Sequence, residues 1–173
     1  MTNKLAELLS QRDWLMADGA TGTTLFNMGL SSGDAPELWN EEHPDRIATL
    51  YRGAVEAGSD IFLTNSFGGT RSRLKLHNAQ DRCYTLNKLA SEIGREVADA
   101  SGRTVIVAGS MGPTGEIMAP MGTLTHALAV EMFHEQAEGL RDGGADVLWV
   151  ETISAPEEYA AAAEGCALAG MDW

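Results

Sequence analysis

Basic residues are scarce in this chain. Its 173 residues carry 12 Lys+Arg against 25 Asp+Glu, a formal net charge of −13. That deficit removes the cationic footprint that nucleic acid or an anionic lipid surface demands, so neither is expected as a partner. Long apolar runs are missing too, and none approaches the roughly 18 residues of a membrane helix. The opening MTNKLAELLSQRDW sets charged and amide side chains where a signal peptide carries its apolar stretch, and the protein reads as cytoplasmic. Cysteine is limited to Cys83 and Cys166, too few for a disulfide framework and without a second Cys or His at metal-ligand spacing. Both read as helix-packing residues, neither nucleophile nor zinc ligand.

What the chain does have is apolar content, 44% of its residues, enough to exclude a disordered acidic tail. Its length suits one domain, residues 1–173, with a core of its own. Four short apolar runs stand out: Trp14–Ala17, Ile61–Thr64, Val105–Ala108 and Val147–Val150. Nearly continuous runs of this length suit strands of a parallel sheet buried on both faces. Between them lie amphipathic stretches: Pro44 to Ala57 with Gly58 as its stop, about Gln80 to Ser101 before Gly102, and about Thr125 to Asp142 before Gly143-Gly144. Ser154-Ala-Pro-Glu157 reads as a capping box opening a fourth, Ala-rich helix, and a short helix around Leu5, Leu8 and Leu9 precedes the first run.

A faint repeat links the halves. Residues 57–65 (AGSDIFLTN) align with residues 143–151 (GGADVLWVE) at an offset of 86 residues, which is two strand-helix units. The alignment makes Asn65 and Glu151 equivalent, each just past the carboxyl end of a strand. Alternating strands and helices imply an α/β fold with right-handed crossovers. An open doubly wound sheet and a TIM-type (β/α)₈ barrel both fit. Four units of about 43 residues fill the chain, whereas a full barrel needs roughly twice the length. The expected architecture is therefore a half-barrel of about four βα units.

In both architectures sites form at the carboxyl ends of strands. Asp18-Gly-Ala-Thr-Gly-Thr23, Thr64-Asn-Ser-Phe-Gly-Gly-Thr70, Gly109-Ser-Met-Gly-Pro-Thr-Gly115 and Glu151-Thr-Ile-Ser154 occupy those places. The Gly-rich turns let backbone amides approach a ligand, but none is a Walker A loop or a GxGxxG fingerprint. Asp18 and Glu151 say more. A carboxylate at an apolar barrel mouth is costly to desolvate unless a cation meets it, and an amino acid's ammonium is a fitting partner. Phe67 either packs on a ligand or plugs the barrel top. The histidines His43, His77, His126 and His134 read as surface or packing residues, and Asp34, Glu37, Glu41 and Glu42 as a solvated acidic loop.

The motifs DGATGT, TNSFGGT, GSMGPTG and VETIS, in that order after the four runs, resemble those of the homocysteine S-methyltransferase family. The resemblance runs from about Trp14 to the end of the chain. It implies a (β/α)₈ barrel that transfers a methyl group to homocysteine sulfur, giving methionine. Carried over by match, Asp18 and Gly19 hold the amino-acid end of homocysteine, Glu151 pairs with its ammonium, and Asn65 and Phe67 line the pocket. The family's zinc, bound by three cysteine thiolates from later strands, holds the substrate thiol and favours its thiolate. Cys83 and Cys166 do not match those positions, so no catalytic or metal-binding residue is assigned here. The implied methyl donor is betaine, a sulfonium compound, a methylated corrinoid or folate. A half-barrel would leave two strand edges and the inner sheet face uncovered, which calls for a second copy or a second half-barrel as partner. Two other readings stand beside this one: a non-catalytic half-barrel that binds an amino acid or a partner, and a doubly wound enzyme acting on a phosphorylated substrate.

Overall fold

The computed structural model describes residues 4–173. Helix α1 (Lys4–Gln11) leads into a bridged segment at Ala17 and then α2 (Thr21–Asn27). A 3₁₀ turn at Pro36–Leu38 runs into the short α3 (Trp39–Glu42), followed by α4 (Pro44–Glu56) and β1 (Ile61–Leu63). Next come α5 (Arg71–Leu74), α6 (Cys83–Ala100), β2 (Ile106–Met111), α7 (His126–Asp142), β3 (Val147–Val150) and α8 (Pro156–Leu168). No helix among the described residues is long and apolar enough to cross a membrane.

The three strands are parallel and lie in the order β1-β2-β3, with Phe62 beside Val107 and Gly109 beside Leu148. Side chains alternate between two faces, as the pleat demands. Phe62 and Val107 pack on α4 and α6, and Met111 and Leu148 on α7 and α8. Ile61, Ile106, Ala108 and Val147 turn the other way, toward Leu5 and Leu8 of α1 and Leu15. All four connecting helices thus cover one face. A doubly wound sheet puts its crossover helices on both, so that alternative is not what forms. The opposite face is less bare than expected, because α1 covers part of it.

The run Trp14–Ala17 does not form the expected first strand. It reaches β1 only through a bridge at Ala17, with the Met16 carbonyl accepting from the Asp60 and Ile61 amides at 2.7 and 3.0 Å. Trp14 and Met16 stay exposed at 67% and 51%, so the burial that sustains a parallel strand is lacking here. The repeat has a physical basis at Asp60 and Asp146. Asp60 accepts from the Met16 amide at 3.0 Å and pairs with Arg12, while Asp146 accepts from the Val107 amide at 2.9 Å and pairs with Arg95 and Lys4. Each aspartate, just before its strand, fastens the segment beside it, the Trp14–Ala17 run for Asp60 and β2 for Asp146.

The capping box also fails. Ala155 is the N-cap of α8 and no side chain caps it, while Pro156 opens the helix. Glu158 turns inward to accept from the Thr114 amide at 2.8 Å and its hydroxyl at 2.5 Å. The Thr125 hydroxyl does cap α7, accepting from the Leu128 amide at 3.3 Å. Glycines set the helix spacing. A Cβ on Gly143 would lie 2.2 Å from the Lys88 carbonyl oxygen, and one on Gly139 2.5 Å from that of Tyr84, so α6 and α7 touch backbone to backbone.

Candidate functional site

The strand ends and the loops beyond them enclose a cavity of about 600 Å³. Asp18, Gly19, Asn65, Phe67 and Glu151, the five residues singled out from sequence, all line it. Volumes of this order suit one or two small molecules.

Asp18 follows the bridged segment, where its own amide donates to the Ile61 carbonyl at 2.9 Å. Its Oδ2 accepts from the Leu63 amide at 3.0 Å. Burial pushes the Asp18 carboxyl above its usual range. The Leu63 and Asp18 amides pull it back, and the charge of Glu151 adds to the rise. Glu151 is fixed by its amide, which donates to the Met111 carbonyl at 3.1 Å, and by its Oε1, which accepts from the Ser110 hydroxyl at 2.6 Å. Two carboxylates whose charges oppose each other on one cavity form a site a cation would relieve. Gly19 has open space where a Cβ would stand, so no packing demands a glycine there.

Asn65 plays a different part from a free pocket amide. Its Nδ2 donates to the Pro36 carbonyl at 2.7 Å and to Asn40 Oδ1 at 2.9 Å, and its backbone N–H donates to the Tyr51 hydroxyl at 2.6 Å. Asn40 returns a bond to the Asn65 carbonyl at 2.9 Å. Behind the same loop, Gln136 donates to the Ser66 carbonyl at 2.7 Å and Asn87 to that of Gly69 at 2.8 Å. The loop is therefore clamped by buried side chains of four helices, as buried backbone polar groups require. Phe67, held with its ring under Gly112, is 37% exposed on the cavity side. A Cβ on Gly112 would stand 2.5 Å from that ring, which explains the glycine.

Several lining residues escaped the sequence reading. Glu37, grouped there with a solvated acidic cluster, is buried at 5% exposure and its Oε1 accepts from the Gly68 amide at 2.7 Å. The i,i+3 spacing of Glu37 and Asn40 after Pro36 was the available signal: one turn turns both inward. Ser110, Arg73 and His77 also line the cavity, so His77 is not simply a surface histidine.

Burial pushes the Glu37 carboxyl above its ordinary 4.5, opposed by its own amide, the Gly68 amide, Arg73 and His77. With the folded value raised, ionising Glu37 works against the fold once pH climbs through that value, and below 4.5 the effect is absent. Glu37→Gln keeps an acceptor for Gly68. It is expected to unfold at a higher temperature than the parent chain at pH 8, with the difference closing toward pH 4; parallel melting profiles across that range would contradict this.

Zinc does not fit the side chains present. Cys83 and Cys166 lie in separate buried clusters, one donating to the Gly69 carbonyl and the other against Met111. Burial pushes both thiols up, away from the thiolate a metal needs. Among the described residues no group of three or more His, Cys, Asp or Glu could hold a metal ion.

Comparison with known proteins agrees with this geometry. A family model for homocysteine S-methyltransferase matches residues 15–171. The methionine synthase of Mycobacterium tuberculosis is 38% identical over 157 residues, covering 86% of this chain and 13% of that protein. The homocysteine S-methyltransferase of Escherichia coli is 30% identical over 181 residues, covering 94% of this chain and 57% of that one. The metallated crystal form of the E. coli homocysteine methyltransferase MmuM superposes with a TM-score of 0.82 at 27% identity, over 98% of this chain and 64% of that one. The chain thus spans less than two thirds of the length of each of these proteins. With a family match over most of its length, and with the motif-bearing loops gathered around one cavity, the chain belongs to the homocysteine S-methyltransferase family.

Proposed function

We propose that this chain supplies the amino-acid-binding part of a homocysteine S-methyltransferase, built as the first four βα units of a TIM-type barrel. The observation that carries the reading is the pair Asp18 and Glu151, fixed by Leu63 and Ser110 and facing one cavity. The ammonium of homocysteine sits between the two carboxylates, and Gly19 leaves the space its backbone needs. Fixing the amino-acid end aims the thiol at the methyl donor, whose second place the volume allows; orientation of this kind is a large part of bimolecular catalysis. The sulfur, as thiolate after its proton has left, takes the methyl group as the donor's bond to that group breaks, giving methionine and the demethylated donor. Activation of the thiol requires groups outside the described residues, which offer no zinc ligand set. The outer edge of the Trp14–Ala17 run, and that of β3 beyond Leu148, whose amide already donates to the Asp172 carbonyl at 2.9 Å, are where a second half-barrel, or a second copy, completes the sheet.

The test has two stages. Homocysteine should raise the melting temperature of the chain, and mixing in the zinc-bearing later part of a homocysteine methyltransferase, with a methyl donor, should produce methionine. Protection without turnover, with both parts folded, favours a half-barrel that binds and does not catalyse. Protection by a phosphate ester and not by homocysteine would contradict the proposal.

A further inference from the structure

Arginine side chains in this fold are consistently engaged, with one exception among the described residues. Arg71 pairs with Glu135 and Asp81, Arg95 and Arg103 fasten aspartates, and Arg46 and Arg141 donate to main-chain carbonyls. The side chain of Arg73, two residues beyond Arg71, makes no hydrogen bond or ion pair among the described residues, although it lines the cavity. Its position is nonetheless built. Gly115, at φ +78°, clears a place for it, since a Cβ there would stand 3.1 Å from Arg73 Cδ and 3.3 Å from Nη1. The neighbouring Ser72 hydroxyl ties α5 to the same loop by donating to the Thr114 carbonyl at 2.8 Å.

A guanidinium stays charged and presents five donors in a planar fork that matches a carboxylate. Glu37 feels the charge of Arg73, yet its Oε1 is held by Gly68 and no ion pair with Arg73 forms among the described residues. Burial pushes the Glu37 carboxyl up, and the charge of Arg73 opposes that rise without an ion pair forming. His77, on the same side, adds a further nitrogen donor or acceptor.

We propose that Arg73, set by Gly115 and α5, is the carboxylate-recognition group of the cavity, opposite in charge to the Asp18–Glu151 pair. The inference rests on the amino-acid-binding reading for its setting and names the anionic half of the ligand. The carboxylate is either that of the amino acid itself or that of a second small molecule sharing the cavity.

Propionate, which has neither ammonium nor thiol, is the probe, and the Gly115 amide resonance of the full chain is the readout. The expected result is a saturable shift of that resonance, with an affinity at least about tenfold weaker in Arg73→Met. Repeating the titration on chain saturated with homocysteine separates the sources. A lost response assigns the site to the carboxylate of homocysteine, and a retained one to a second ligand. Asp18→Asn should keep the propionate response while binding homocysteine more weakly, so failure of the ammonium site and failure of the carboxylate site are told apart. No response in the parent chain, or an equal response in Arg73→Met, overturns the proposal.

Discussion

Replacing Asp18 by asparagine should weaken homocysteine binding by roughly 10- to 100-fold, because a charge-assisted hydrogen bond contributes about 1.5–3 kcal/mol. The fold should survive the change. The asparagine side chain would keep an oxygen for the Leu63 amide, and the substitution removes a carboxylate whose burial opposes ionisation. Glu151→Gln should act in the same direction, with Ser110 still donating to the remaining oxygen. The pH dependence follows from the raised Asp18 value. As pH falls through it the carboxylate takes a proton, the attraction for an ammonium is lost, and affinity drops before an ordinary aspartate at 3.8 would titrate. Calorimetric titration of the parent and both variants measures this. Equal affinities in all three would remove the ammonium site from the account.

Gly143→Ala should be a strongly damaging conservative change. Its backbone is an ordinary right-handed helical cap, so alanine suits the local conformation. The added methyl would nevertheless stand 2.2 Å from the Lys88 carbonyl oxygen and 2.7 Å from the Ser91 Cβ. Neither backbone nor a buried Cβ can swing aside, so α7 must move off α6 along their contact. Overpacking of this kind costs about 3 kcal/mol, near the top of the usual range. For a chain of this size that corresponds to a melting temperature lower by roughly 6–12 °C. The paired control is Gly53→Ala on α4, where a Cβ meets nothing within 4 Å. There alanine should add about 0.5–1 kcal/mol, because glycine loses more freedom on entering a helix. A Gly143→Ala chain that melts with the parent would show that the helices are not in backbone contact.

The long elements were legible from periodicity, and for a physical reason. Helices α4, α6 and α7 each present an apolar stripe to the sheet, and glycines or a threonine cap mark their ends in the sequence itself. The runs that became β1 and β2 are buried on both faces, nearly throughout, and β3 is buried at Val147 and Leu148, so the apolar runs are nearly continuous. Trp14–Ala17 has the same composition but meets β1 through one bridge with Trp14 and Met16 exposed, and no pattern in four residues distinguishes the two cases. Asp18 and Glu151 could be found because strand ends gather at one rim and because the four motifs resemble a known family. Glu37 and Arg73 could not, since each sits on a short turn whose burial is decided by distant loops. Asn65 was placed at the cavity, yet its tie to Pro36 and Asn40 depends on contacts that no local spacing encodes.

A crystal structure of the chain with homocysteine bound tests the central claim most directly. The account predicts the amino acid in the 600 Å³ cavity, with its ammonium nitrogen in hydrogen-bond contact with carboxylate oxygens of both Asp18 and Glu151. Homocysteine bound elsewhere, or bound in the cavity with its ammonium turned away from both carboxylates, would contradict it.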